Sequence, residues 1–234
     1  MKNRRVLLKL SGEALAGEKG TGFDEAICRD VARQVRTGAQ AGTEVCIVIG
    51  GGNFWRGRTS ERIDRVRADQ IGMLATVMNA IYVSQIFESE GMETEVYTPF
   101  TVGAMTKLFS KAEADRDLKA GKIVFFAGGT GHPYFSTDTG AALRAIEMEA
   151  DQILLAKAID GVYDADPATH PEAKKYDTVS LSEVLEKQLK VIDLTATALC
   201  MENHMPLAVF GLSGENSIEN ALRGQITGTV VTAS

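Results

Sequence analysis

The stretch Val6-Leu7-Leu8-Lys9-Leu10-Ser11-Gly12-Glu13 decides how this chain is read. It is an apolar strand that delivers a lysine into a glycine turn. An ammonium in apolar surroundings is costly to keep charged, so such a lysine needs an anionic partner or a route to water. A strand ending this way can hold a phosphate. Alone, the segment fits an edge lysine before a turn equally well. The other apolar strands of the chain end in glycine as well, and that favours phosphate.

The run Glu44–Ile49 ends in Gly50-Gly51-Gly52-Asn53, and Ile123–Ala127 ends in Gly128-Gly129-Thr130-Gly131. Helical periodicity separates these strands. One helix starts near Asp24 with Ile27, Val31 and Val35 on one face. A long amphipathic helix covers about Arg65 to Glu88, another runs from Ala112 to Ala120, and a further one starts near Asp138. Thr98 to Ser110 carries no clear pattern. Beyond the strand Gln152–Leu155, Ser180 and Glu183 form a capping box for a helix that ends near Lys190. Helices around Thr197–Glu202 and Ile218–Leu222 and strands at Leu207–Phe210 and Thr229–Val231 complete the pattern. Near-continuous apolar strands covered by helices predict an α/β fold, a three-layer α/β/α sandwich with a mainly parallel central sheet. Ligands of such sheets bind at the carboxyl ends of the strands, where these glycine clusters fall.

At 234 residues the chain can build one sizeable core. Its net charge of -6 argues against nucleic acid as main partner and makes any anion site a local feature. Three scattered cysteines (Cys28, Cys46, Cys200) and three histidines do not make a zinc site. Cys46 lies in an apolar strand and reads as core. No signal region opens the sequence and no apolar run approaches membrane-spanning length, so no membrane partner and a cytoplasmic location are expected.

Gly50-Gly51-Gly52-Asn53 offers backbone N–H groups with no side chain in the way. Arg56 follows and can add a planar phosphate contact. Gly128 to Asp138 combines exposed backbone, hydroxyls, a Tyr134–Phe135 ring pair and a carboxylate at a helix start. Such a loop suits a planar base and a phosphate; ordinary core burial of the rings and helix capping by Ser136, Thr137 or Asp138 are the plainer alternatives. The chain has no P-loop, and its first strand lacks the dinucleotide fingerprint. Transfer between two phosphates needs positioning and charge cancellation by lysine, arginine and backbone N–H groups. No carboxylate cluster resembles a metal cage, so a metal would arrive with the nucleotide.

Lys9-Leu10-Ser11-Gly12-Glu13, Ile49 to Asn53 and Gly129 to Asp138 resemble the bacterial-type UMP kinases, of the amino-acid-kinase fold. Arg67-Ala68-Asp69 followed by Gly72 to Asn79, Asp160-Gly161-Val162-Tyr163 with Asp166-Pro167, Ser182 to Leu185, and Val191 to Leu194 match as well. The segment from Asp69 to Asn79 points to the UMP branch. The resemblance implies one domain over residues 1–234, with the N-terminal part mainly on the UMP side and about 150–234 mainly on the ATP side. It implies ATP + UMP giving ADP + UDP with Mg2+, in the cytoplasm, within pyrimidine nucleotide synthesis. It also implies a homohexamer, UTP inhibition and, in many members, GTP activation.

Carried over, Lys9 would neutralise the transferring phosphoryl group and Asp138 would orient the lysines. Lys9, Leu10, Ser11, Gly12, Gly52, Arg56, Lys157, Tyr163 and Asp166 would serve ATP. Gly51, Asp69, Thr130, Gly131, His132, Pro133, Tyr134, Phe135, Ser136 and Thr137 would serve UMP, with Asp69 on the ribose. The loop Gly17-Glu18-Lys19-Gly20-Thr21-Gly22 matches the region tied to GTP, and also fits a plain surface loop. Two positions depart from the family. His132 stands where asparagine is common, and an imidazole changes its donor and acceptor roles with protonation. Ala158 stands where a lysine is common, with Lys157 one position earlier. Two other readings stay open: a kinase of the same fold acting on a carboxylate or carbamate, and a nucleotide-sensing oligomer without turnover.

Overall fold

The computed structural model describes residues 4–55 and 63–233. Strand β1 (Arg5–Leu10) lies inside a nine-stranded sheet, between β2 (Glu44–Ile49) and β6 (Gln152–Lys157). The other strands are β3 (Thr94–Thr98), β4 (Lys107–Leu108), β5 (Ile123–Phe126), β7 (Thr178–Ser180), β8 (Leu207–Gly211) and β9 (Thr229–Thr232). Their order is β4-β3-β5-β2-β1-β6-β8-β9-β7. Neighbours are parallel except β8 and β9, so the last two positions run against the rest. The chain builds outward from β1 through β2, then crosses to β6 on its other side. That reversal places a crevice at the carboxyl end of β1, where open α/β sheets bind ligands.

Alternation along the strands sorts side chains into two core layers. Val6, Leu8 and Leu10 join Ile47, Ile49 and Leu154 beneath α2 (Glu25–Gln40), α3 (Arg65–Ser89) and α8 (Ser217–Leu222), which follow the short α1 (Gly12–Ala16) or the far strands in sequence. Leu7 joins Cys46, Val48, Ile153 and Leu155 beneath α4 (Lys111–Lys119), α5 (Thr137–Glu147), α6 (Leu181–Glu186) and α7 (Leu194–Glu202). The three-layer α/β/α architecture is therefore as the apolar runs predict. At the amino end of β1, buried Arg5 pairs with Glu44 (2.6 Å) and Asp115 (2.8 Å) and donates to Met148 O, fixing the edge opposite the crevice. Cys28, Cys46 and Cys200 are buried, and burial pushes the thiols of Cys46 and Cys200 up to about 12. They are core residues.

Local structure departs from the sequence pattern in four places. The glycine turn expected after Lys9 is the first turn of α1, which begins at Gly12 itself. The patternless Thr98–Ser110 holds β4, two residues long. The helix opened by Ser180, whose hydroxyl caps Glu183 N, stops at Glu186 rather than near Lys190, because Gln188 enters the left-handed region. Helix α7 begins at Leu194, not near Thr197; the carboxylate of Asp193 accepts from Thr195 N and Ala196 N and sets its start. One expectation on apolar length also needs correcting. Helix α3 has 25 residues with a window of mean hydropathy 1.2, enough by composition to cross a membrane, yet half of that window is buried inside the fold. Val77, Val83 and Phe87 pack on the sheet, so its apolar length serves the core.

Candidate active site

Lys9 and Lys157 occupy the same face of the sheet. In the parallel register Lys9 faces Leu155, so Lys157 lies one pleat further along the neighbouring strand. Above them begins α5, whose N-cap is Ser136, with its hydroxyl accepting from Thr139 N at 3.2 Å. Capping is thus done without Asp138, the second residue of the helix. The carboxylate of Asp138 stands 2.9 Å from Lys9 Nζ. Its buried Oδ1 has that ion pair but no aligned hydrogen bond. Lys157 donates to Val191 O. Burial holds the Lys157 ammonium below the ordinary lysine range and nearby Lys9 acts in the same direction, while the charge of Asp138 opposes both. Two lysines and one carboxylate thus share a recess at the carboxyl end of β1 and β6.

A cavity of about 200 Å3 opens beside this cluster. It brings together Gly51, Asp69, Thr130, His132, Phe135, Ser136 and Thr137, and also Gly52, which the sequence placed on the opposite side. Gly131, Pro133 and Tyr134 lie outside that lining. Tyr134 and Phe135 are 65% and 48% exposed, so neither is a core residue. Tyr134 adopts φ 71°, an uncommon conformation for a bulky residue. Its N–H donates to Asp69 Oδ2 at 2.8 Å, and Arg65, also bonded to that oxygen at 2.8 Å, lies 5.3 Å from the Tyr134 ring centre. Asp69 thereby fastens the Gly128–Phe135 loop to the start of α3.

Sequence reasoning missed Trp55, Met73 and Thr76 as lining residues. Met73 and Thr76 follow Asp69 by four and seven residues, which puts them on the same helix face. That spacing was a usable signal. Thr76 Oγ1 also accepts from Gly128 N at 2.8 Å. Gly51 is required by close approach: a Cβ there would meet Ala75 Cβ at 2.9 Å and Gly72 O at 3.0 Å.

A second cavity of about 450 Å3 contains Tyr163 and Asp166, with Lys190 on its wall. Chain neighbours of the lysine cluster line both cavities: Thr137, next to Asp138, lines the first, and Lys190, next to Val191, whose carbonyl receives Lys157, lines the second. Asp166 Oδ1 accepts from Ala168 N at 3.0 Å, and Tyr163 donates to Asp160 at 2.7 Å. Leu10 is fully buried, backbone included, and Ser11 and Gly12 open α1. The Gly17–Gly22 loop lies against the Gly50–Asn53 turn through Thr21 Oγ1 to Asn53 O at 2.9 Å. Arg56 falls outside the described residues.

The family comparison agrees with this geometry. The amino acid kinase family matches residues 4–211. The chain belongs to that family. Among solved structures, a UMP kinase from Bacillus anthracis is 35% identical, with a TM-score of 0.95 over 100% of this chain and 98% of that one. A UMP kinase from Ureaplasma parvum is 34% identical, with a TM-score of 0.93 over 99% and 100%. A uridylate kinase from Archaeoglobus fulgidus is 28% identical, with a TM-score of 0.73 over 97% and 99%. The resemblance read from the motifs holds over the whole length.

Asp193 ties the two helices of this face together. It accepts from the hydroxyls of Ser136 and Thr139 as well as capping α7. Burial works against its ionised form, but the donors from Ser136, Ala196 N, Thr139 and Thr195 N outweigh it and hold the carboxyl below its ordinary range. The stability this supplies is present above the unfolded carboxylate pKa and is lost as pH falls through the lower folded value. Asp193→Ala is expected to cost about 1–2 kcal/mol at neutral pH. In thermal melts the gap to wild type should narrow as pH drops from about 5 to about 3; a gap that stays constant would show that the carboxylate charge is not what α5 and α7 share.

Proposed function

We propose that this protein is a UMP kinase that moves the γ-phosphoryl group of ATP to UMP, giving ADP and UDP. The observation that carries the reading is the cluster of Lys9, Lys157 and Asp138, whose chain neighbours Thr137 and Lys190 line two separate cavities. A reaction joining two anions needs two nucleotide sites and a cationic gap between them. The cavity around Asp69, Thr130 and Phe135 suits a base, a ribose and one phosphate. The cavity at Tyr163 and Asp166 would take adenosine. The full-length likeness to proteins described as UMP kinases supports the same assignment.

Each residue then has a task that follows from its position. Lys9 would lie against the transferring phosphoryl group and offset the charge that builds between donor and acceptor. Asp138 would keep the Lys9 ammonium aimed, and its second-position site adds a carboxylate at the positive end of the eleven-residue α5. Lys157 would supply a second cation by exchanging Val191 O for a phosphate oxygen, which also offsets the cost of its burial. Gly12, Gly51 and Gly52 would present backbone N–H groups to phosphate oxygens. Mg2+ would arrive with the nucleotide, where it would cancel phosphate charge.

The same reading extends to regulation, location and assembly. UTP inhibition, GTP activation with the Gly17–Gly22 loop involved, and cytoplasmic pyrimidine synthesis are carried with it. A homo-oligomer is supported by α3, where Ile71, Leu74 and Met78 are 41%, 50% and 48% exposed at helical spacing. Light scattering should give a multimer for the wild type and a smaller species for Leu74→Asp. Equal masses for the two would remove α3 from the interface.

An assay of ADP release with UMP, CMP, dUMP, glutamate and carbamate tests the activity. UMP should be turned over at least about tenfold better than any other acceptor, a difference of about 1.4 kcal/mol. Turnover without UMP preference would overturn the reading. Lys9→Ala should lower kcat by about two or more orders of magnitude. UMP binding, followed by the fluorescence of Trp55, the single tryptophan, should stay nearly intact. Near-normal turnover in that variant would refute the role of Lys9.

A further inference from the structure

Two asparagines with no place in the site above lie directly beneath it. Asn53 and Asn79 are 2% and 0% exposed. Asn79 Nδ2 donates to Gly50 O at 2.7 Å and to Asn53 Oδ1 at 2.8 Å. Asn53 Nδ2 donates to Asn79 Oδ1 at 3.0 Å and to Gly22 O at 2.8 Å. All four N–H donors of the two amides are thus used. A third loop rests on the pair: a Cβ on Gly12 would come within 2.2 Å of Gly50 O, 2.4 Å of Asn53 Oδ1 and 2.9 Å of Asn79 Nδ2. The loop after β1, the loop after β2 and the Gly17–Gly22 loop therefore meet at one pair of side chains.

The fold itself has no need of amides there. Helix α3 is already packed by Val77, Ala80, Val83 and Phe87. Apolar residues in place of both amides would be close to neutral for burial, since polar pairs in a core add little net stability, whereas either amide left alone would be costly. What only the amides provide is direction, because they fix the Gly50 carbonyl and hence the Gly51 and Gly52 backbone relative to Gly12. We infer that Asn79 is a positioning residue for phosphoryl transfer, which through its amide pair with Asn53 sets the register between the two glycine loops that face the phosphates. This rests on the proposed function for the identity of the ligands. Asn79 touches none of them.

The test is Asn79→Leu, branched at the same carbon, larger than asparagine and without hydrogen bonds, in the full-length protein. Its folding is checked by circular dichroism. Misplacing reacting groups by about 1 Å can cost about a hundredfold in rate. The expected result is kcat for UMP phosphorylation down by about ten- to a hundredfold. KM for ATP should stay within about threefold, because the cavity at Tyr163 and Asp166 is untouched. Hydrogen–deuterium exchange of the peptides spanning residues 11–24 and 49–55 should rise about tenfold or more, with strands β3 and β5 unchanged. A purely structural role would lower the melting temperature and leave kcat of the folded enzyme alone. The inference is overturned if kcat stays within about twofold of wild type or if exchange in those two loops does not move. If Asn79→Leu does not fold, Asn53→Ala removes the other half of the pair, and the same two readouts apply. Wild-type protein that fails to turn over UMP would count against the proposed function. The exchange measurement would still decide whether the pair holds the loops.

Discussion

One face of this molecule is organised around keeping the Lys9 ammonium charged at the end of a central strand of a parallel sheet. A charge at the end of a central strand has little water around it, and the fold compensates with a carboxylate delivered by another element. Asp138 reaches Lys9 because α5 begins above the carboxyl end of β1, and α5 begins there because Ser136 caps it. Asp193 then holds Ser136 and Thr139 from α7. The ion pair thus draws on a chain of contacts that spans one face of the protein, from β1 to the helices of the second half.

The recess is arranged so that positive charge is available without being spent. Lys157 faces the same way as Lys9 because their strands are parallel and in register. Its hydrogen bond to Val191 O satisfies one donor of the ammonium. Two like charges near one another raise the free energy of the recess, and the carboxylate of Asp138 offsets part of that cost.

Much of this was legible in the order of residues, and the limits are physical. Strands β1, β2 and β5 are buried on both faces, so they read as continuous apolar runs, and their glycine ends mark the crevice. Strands β4 and β7 have two and three residues, too few for a pattern to show. The onset of α7 was hidden because Leu194, its first residue, is 71% exposed and gives no inward signal. At the site, Lys9 and Asp138 stood out as charges in apolar or glycine-rich settings, whereas Asp69 came from the family resemblance. Whether Lys157 reaches the recess depends on strand parity and on the carbonyl of Val191, neither of which can be read without the sheet register. Asn79 matched a family segment but suggested no task, since one amide within an apolar helix looks the same whether it is exposed or paired.

The close packing of Gly51 against α3 has a meaning for inheritance. A Cβ at Gly51 would collide with Ala75 and with the carbonyl of Gly72. Helix α3 also carries the exposed apolar stripe and the carboxylate of Asp69. Any lineage that enlarges position 51 must push the helix away or lift the loop, and the side chain it meets is that of Ala75. Positions 51 and 75 should therefore vary together, with the geometry of the exposed stripe and of the cavity beside Asp69 drifting as one trait.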